Sequence, residues 1–260
     1  MAIHQEQHPI GTIIILNYKT DDLVMQLVNR LSPHDNWDII VVDNSPDKSL
    51  VNRLPPTVQY IFNGQNLGYA GGNNVGIKSA NGDWILILNS DIEITIDQIN
   101  SLVKEAEKTN TSVIAPVLFS KDGSVQQSVG YFDSFSKNPI NYIFARPRFI
   151  TAPDYENMQV DLVTGACILV QKKVFDTIGM FDDKTFFMYF EDIDWSLRLK
   201  KAGIPILYVP SVQVVHYGGA SSDQDARQKN LNYQQGLKNY IRKHRGIVIE
   251  TINEICGFFK

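Results

Sequence analysis

Cysteine is scarce in this chain, basic residues are not in excess, and no long apolar run occurs anywhere in it. The two cysteines, Cys167 and Cys256, lie far apart and show no paired metal-ligand spacing. That excludes a disulfide framework and a zinc knuckle, and makes a reducing cytoplasm the expected location. A formal charge of -4 removes the general attraction that draws proteins onto nucleic-acid phosphates, so no nucleic-acid partner is expected and any anionic ligand must be held locally. No segment approaches the ~20 apolar residues needed to cross a bilayer. The polar opening, residues 1–9 with His4, Glu6 and His8, leads into an apolar stretch at 10–16 that is too short and badly flanked for a signal peptide. Membrane contact is therefore expected to be peripheral at most. What is present, 260 residues with 43% hydrophobic and 20% charged side chains, suits one large globular domain, or two halves sharing a core.

Short β-branched runs at 10–16 and 39–42 flank an amphipathic stretch at 21–31, where Leu23, Leu27, Val28 and Leu31 recur at helical spacing. This reads as a β-α-β unit. Further strands are expected at 58–62, 84–88 and 112–117, with helices at 72–79 and 96–108, which gives an α/β fold with a Rossmann-like, mostly parallel sheet. In such sheets ligands bind at the carboxyl ends of the strands, and the polar clusters of this sequence fall there. Residues 131–155 read as an irregular, aromatic-rich insertion. Beyond it, 166–171 reads as a strand, 190–201 as a helix ended by Gly203, 206–209 as a strand stopped by Pro210, and 223–244 as a long polar helix.

Five stretches carry residue types suited to chemistry. Asp43, in Val41-Val42-Asp43-Asn44-Ser45, is placed to accept hydrogen bonds from a ribose or base, although Asp-Asn-Ser-Pro is also good turn chemistry. The run from Asn63 to Asn74 contains glycines that permit close backbone approach and the amides of Asn66 and Asn73, but matches neither GxGxxG nor a P-loop. Asp91, closing Asn89-Ser90-Asp91 after an apolar strand, can hold a divalent cation on a diphosphate or cap the helix that follows. Glu191, Asp192 and Asp194 stand together among Phe187, Tyr189, Phe190 and Trp195. Solvated helix-start acids are the plain reading, but the aromatic setting favours a lined cleft in which a carboxylate can act as general base. His216 ends the run Val212-Gln213-Val214-Val215 and is followed by Tyr217-Gly218-Gly219; a lone histidine is usually structural, yet beside an oxygen-rich site it suits a Mn²⁺-like ion.

In order, Asn17-Tyr18-Lys19, Val41-Val42-Asp43-Asn44-Ser45, Asn66-Leu67-Gly68-Tyr69-Ala70-Gly71-Gly72-Asn73, Leu88-Asn89-Ser90-Asp91, Gly165-Ala166, Gly179-Met180-Phe181-Asp182, Tyr189-Phe190-Glu191-Asp192-Ile193-Asp194 and His216 resemble family 2 glycosyltransferases of the GT-A fold, especially their rhamnosyltransferase-like branch. The resemblance implies one domain, with a nucleotide-binding half at about 10–117, an acceptor and catalytic half at about 118–222, and a helical tail at about 223–260. It implies that Asn17, Tyr18, Asp43, Asn66, Gly71, Asn89, Ser90 and Asp91 line the nucleotide-sugar site, and that Asp91 and His216 hold Mn²⁺ or Mg²⁺. Asp192, of the catalytic Glu191-Asp192 pair, would be the base, with Glu191 and Asp194 as acceptor-orienting or helix-capping groups, Asp194 the alternative base, and Tyr189 and Trp195 toward the acceptor. The implied reaction is inverting transfer of a sugar from a dTDP- or UDP-linked donor, dTDP-rhamnose first among them, to a saccharide or lipid-linked acceptor in surface-polysaccharide synthesis. One position departs from the family's Asp-x-Asp pattern: Asn89 contributes no charge. The basic tail, with Arg242, Lys243, His244 and Arg245, suits either anionic lipid headgroups or a helix dipole, and a homodimer is left open.

Two other readings compete. A nucleotidyltransferase needs a Gly-rich phosphate loop after its first strand, where this chain has Asn17-Tyr18-Lys19-Thr20. A silent nucleotide-sugar- or carbohydrate-binding module of a larger synthase would not require Asp91, Asp192 and His216.

Overall fold

The computed structural model describes residues 9–31, 36–133, 147–151, 156–218 and 226–256. Its first half alternates as the periodicity predicts: β1 (Gly11–Asn17), α1 (Asp21–Leu31), β2 (Trp37–Asp43), β3 (Val58–Phe62), α2 (Gly68–Ser79), β4 (Trp84–Asn89), a short β5 (Ile92–Glu93), α3 (Ile96–Thr109) and β6 (Val113–Phe119). Strand residues alternate between two faces because successive side chains point to opposite sides of a sheet. Ile13, Ile15, Leu86 and Leu88 pack on one side, with α1 and α3, while Ile14, Ile85 and Ile87 pack on the other. Helix α2 starts at Gly68, four residues earlier than expected. Its composition is poor for a helix, but a Cβ at Gly72 or Gly76 would run into Leu16 or Ile14 of β1, so the glycines let the helix lie close against the sheet, and packing overrides propensity.

The second half adds β7 (Val129–Phe132), β8 (Pro147–Ile150), β9 (Met158–Val160), β10 (Leu162–Val163), β11 (Cys167–Gln171), α4 (Lys172–Ile178), α5 (Glu191–Lys201), β12 (Ile206–His216), α6 (Ala226–Arg245) and α7 (Ile247–Cys256). The main sheet runs β3-β2-β1-β4-β11-β6-β12-β5, with β9 paired to β12. Strands β3, β2, β1 and β4 are mutually parallel, as are β6 and β12, but β11 lies antiparallel between β4 and β6. That reversal matters for function. It sets the start of β11 beside the end of β4, Cys167 opposite Leu88, and so brings the Gly165-Ala166 turn to the strand end that carries Asn89.

Three expectations need correction. The flanks of the supposed irregular insertion form an antiparallel pair, β7 with β8, in a small second sheet with β10; residues 134–146 and 152–155 of that segment lie outside the described residues. Strand β12 does not stop at Pro210 but crosses it through a register shift between Val209 and Gln213, an arrangement in which proline is tolerated because a bulge relieves it of ladder bonding. The basic tail is also internally engaged: Arg242 and Lys238 pair with Glu250, Lys243 with Asp182 and Asp194, and His244 with Asp194. The electrostatic basis for lipid contact is thereby weakened. No helix among the described residues is long and apolar enough to cross a membrane.

Candidate active site

The end of β4 delivers the first group of polar residues. Asp91 is 6% exposed, and its Oδ1 lies 3.3 Å from His216 Nε2. Asn89 Nδ2 is 3.5 Å from the same nitrogen. Strand β12 carries His216 here by pairing antiparallel with β5, His216 opposite Ile92, while the backbone N–H of Tyr217 donates to the Asp91 carbonyl. Gln126 fixes the imidazole from behind. Its Nε2 donates to the His216 carbonyl and to Ser120 Oγ, which leaves Oε1 to accept the His216 Nδ1 proton at 2.8 Å. That assignment turns the Nε2 lone pair toward Asp91. A cation bound about 2.1 Å from two ligands in adjacent positions needs their atoms about 3 Å apart, so Asp91 and His216 fit as such a pair. Asp91 does not cap α3. Thr95 does, in a capping box with Gln98, so the helix-cap alternative for Asp91 falls away.

The second group is linked to the end of β4 through the Gly165-Ala166 turn. The backbone N–H of Asn89 donates to the Ala166 carbonyl, and one residue earlier the N–H of Gly165 donates to Asp192 Oδ2 at 2.9 Å. The turn thus bonds to Asp192 on one side and, on the other, to the backbone of Asn89, two residues before Asp91. Tyr69 closes the turn from α2: its hydroxyl donates to the Gly165 carbonyl, and its ring sits where a Gly165 Cβ would be. Asp192 Oδ1 accepts from Ile193 N, and its side chain is partly exposed. Burial pushes the Asp192 carboxyl up, offset in part by those two N–H donors. Glu191 is 5% exposed and its Oε2 has no partner; burial, then the Asp192 charge, raises it well above the usual carboxylate range. Both carboxyls are thus raised, Glu191 the more strongly, and the two titrate as a linked pair.

Both carboxyls are delivered by a strained turn. Tyr189 and Phe190 precede α5 with φ of 68° and 70°, a left-handed conformation that costs bulky residues about 1–3 kcal/mol each.

The nucleoside-side residues behave differently from expectation. Asn17 and Asp43 are both 0% exposed. Asn17 Nδ2 donates to Asp21, Asp43 and Ser45, and its Oδ1 accepts from Thr20. Asp43 accepts from Ser45 N and from the Tyr60 hydroxyl as well. These two therefore shape the loops after β1 and β2 rather than present free groups to a base. Ser45 and Thr20 line a cleft of about 540 Å³ with Lys19, Asp47 and Arg53. Half-buried Tyr18 stands beside Lys19. Ser90 is bonded to Thr20, and Asn66 is exposed, its Oδ1 accepting from Gly68 N. Gly71 is buried under Leu67 and Asp183, which removes the close ligand approach expected there.

Two acceptor-side expectations are also corrected. Trp195 is 0% exposed, stacked 5.5 Å from Phe175 with its Nε1 donating to the Gly179 carbonyl; it is core. Asp194 is likewise 0% exposed and paired with Arg198, Lys243 and His244. Burial alone would raise its carboxyl, but hydrogen bonds from His244 and Lys243 and the Arg198 charge outweigh this and hold it at about 2. Tyr189 remains half-buried near α5, its hydroxyl without a partner. Phe187 is exposed, at 45%, and seated against Gly68. Gln126 carried no recognisable sequence signal, and Tyr69 figured only as part of the Asn66–Asn73 run, since their bonds to His216 and Gly165 span 90 and 96 positions of the chain.

Comparison with known proteins gives the geometry its family. Residues 12–179 match the model of "Glycosyl transferase family 2", which takes in Asp91 but ends before Asp192 and His216. A low-salt glycan biosynthesis hexosyltransferase of Haloferax volcanii is 30% identical over 252 residues, covering 94% of this chain and 78% of that protein. The N-acetylglucosaminyl-diphospho-decaprenol L-rhamnosyltransferase of Mycobacterium tuberculosis is 29% identical over 204 residues, covering 70% and 66%. Among solved structures, GalNAc-T7 with UDP, GalNAc and Mn²⁺ superposes with a TM-score of 0.68 at 17% identity, over 89% of this chain and 47% of that one. With the family model matched over most of its length and a relative aligned almost throughout, this chain is a glycosyltransferase of the GT-A fold and belongs to glycosyl transferase family 2.

Proposed function

We propose that this glycosyltransferase catalyses a cation-dependent, inverting displacement in which Asp192 is the base and a nucleoside diphosphate leaves. The observation that carries the reading is the shared Gly165-Ala166 turn, which ties Asp192 to the strand end bearing Asn89 and Asp91. Asp192 takes the proton of an acceptor hydroxyl as that oxygen bonds to the anomeric carbon, while the bond from that carbon to the diphosphate oxygen breaks on the opposite face. The N–H groups of Gly165 and Ile193 hold one carboxylate oxygen each, which fixes the direction from which the proton is taken. Mn²⁺ or Mg²⁺ held by Asp91 and His216 would neutralise charge developing on the departing diphosphate.

Among the described residues no group of three or more His, Cys, Asp or Glu is arranged for a metal. Affinity therefore depends on the donor's own oxygens, in keeping with the uncharged Asn89. Replacing Gln126 by Leu frees the imidazole and is expected to weaken the cation about 10- to 100-fold, read as the Mn²⁺ concentration giving half-maximal rate; an unchanged value would remove the orienting role.

Names of relatives favour dTDP-rhamnose as donor and a saccharide or lipid-linked saccharide as acceptor, for use in building a surface polysaccharide. Phe187, rather than Trp195, offers the exposed ring against which an apolar sugar face can rest. The test is nucleotide release from dTDP-rhamnose, UDP-glucose and GDP-mannose, with Mn²⁺, with Mg²⁺ and with chelator. Fastest release from dTDP-rhamnose, abolished by chelation, is expected. Rates indifferent to chelation would end the cation-dependent reading, and a preference for another donor would end the rhamnose assignment alone.

A further inference from the structure

The family match ends at residue 179, yet the turn that delivers Glu191 and Asp192 is held from outside by α6, nearly fifty residues further on. One stripe of that helix, at positions 233, 236, 240 and 243–244, recurs at the three- and four-residue spacing of a single helical face. Tyr233 packs on Tyr189 and Phe190, and Tyr240 packs on Phe190. Gly236 lies so close that a Cβ there would sit 2.7 Å from the Tyr189 carbonyl oxygen and 3.0 Å from the Phe190 ring. Asn239 Nδ2 donates to the Thr185 carbonyl at 2.6 Å. Lys243 bridges Asp182 and Asp194, and His244 reaches Asp194 as well. The helix thus grips the chain before and after the two consecutive left-handed residues. A bulky residue keeps such a backbone only where its surroundings over-determine it.

We propose that α6 is a positioning element for catalysis: its contacts through Gly236 and Asn239 keep the strained Tyr189-Phe190 turn in the conformation that aims Asp192 at the acceptor hydroxyl. The nucleotide side of the site is built from β1, β2, α2 and the end of β4, none of which this stripe of α6 touches in the contacts above. Disturbing the stripe therefore acts on the Asp192 turn directly and reaches the nucleotide side only through the Phe187 carbonyl, which accepts from Tyr69 N–H. The proposal rests on Asp192 being the base.

The experiment uses the full chain with Gly236→Ala, which forces the turn to shift, and Asn239→Ala, which removes one hydrogen bond and leaves the helix backbone intact. Nucleotide release is measured with the best donor of the panel above, alongside dTDP binding with Mn²⁺, the pH–rate profile and a melting curve. In samples folded at the assay temperature, kcat is expected to fall about 10- to 100-fold for Gly236→Ala, since a misplacement near 1 Å costs up to that much, and less for Asn239→Ala. Donor KM and dTDP affinity should stay at wild-type values, and the acidic limb should move to lower pH as water gains access to Asp192. Wild-type kcat in either folded variant overturns the proposal, as does a loss that only follows the unfolded fraction. Should Gly236→Ala not fold, Asn239→Ala decides alone. Full activity in an Asp192→Asn control would instead refute the base assignment, whereas an inactive control beside active α6 variants would refute only the role of the helix.

Discussion

Asp192→Asn is expected to lower kcat for transfer by about 10²- to 10⁴-fold, the range over which a positioned general base contributes, with little change in donor KM. The amide is nearly isosteric, but its single oxygen can accept from only one of the Gly165 and Ile193 N–H groups that the two carboxylate oxygens now serve, so a melting curve and donor KM near wild type are needed to assign the loss to the missing proton acceptor. The wild-type pH–rate profile should carry the same information. Burial raises the Asp192 carboxyl, so the base is lost as pH falls through a value above the ordinary carboxylate range, and the acidic limb lies correspondingly high. In Asp192→Asn that limb should vanish from the residual rate. Glu191 provides the contrast: burial and the Asp192 charge raise its carboxyl, which disfavours its charged form, so Glu191→Gln, a neutral group of the same shape, should retain most activity. If both variants lost activity equally, the two carboxyls would be acting as a unit and the assignment to Asp192 alone would fail.

The sequence carried most of the fold because its strands are short β-branched runs between amphipathic helices, and those periodicities survive folding. It did not reveal the direction of β11. An apolar run such as Cys167–Gln171 is buried on both faces whichever way it points, and only the pairing with β4 decides. Composition also misled at Trp195 and Asp194. In sequence, an aromatic and an acid next to Glu191-Asp192 look like cleft lining, but on a helix the neighbouring positions turn away, and α4 and α6 cover them. Asn17 and Asp43 were placed at the correct strand ends, yet each spends its hydrogen-bonding capacity on the other and on Ser45. Such saturation cannot be read from residue type, because it depends on loops 26 and 28 residues apart in the chain. The same limit hid Gln126, whose amide acts through His216 from 90 positions away.

For Asp91→Ala the expected result is a loss of about 10²- to 10³-fold in nucleotide release, comparable to removing a group that stabilises charge in the transition state, together with a demand for much higher Mn²⁺. Because Asn89 is uncharged, Asp91 supplies the only formal negative charge of the Asn89-Ser90-Asp91 stretch, and no neighbouring carboxylate in it can compensate. The structural consequences should be small. The Asp91 carbonyl that receives Tyr217 N–H belongs to the backbone and survives the substitution, and α3 is capped independently by Thr95 and Gln98. A melting temperature near wild type beside a collapsed rate would thus mark a loss of chemistry rather than of fold. Asn89→Asp tests the same electrostatics in the opposite direction: a second carboxylate should tighten Mn²⁺ in the absence of donor, where the wild-type site is expected to bind weakly. A full wild-type rate in Asp91→Ala, or no gain in cation affinity in Asn89→Asp, would place the metal elsewhere or remove it from the reaction.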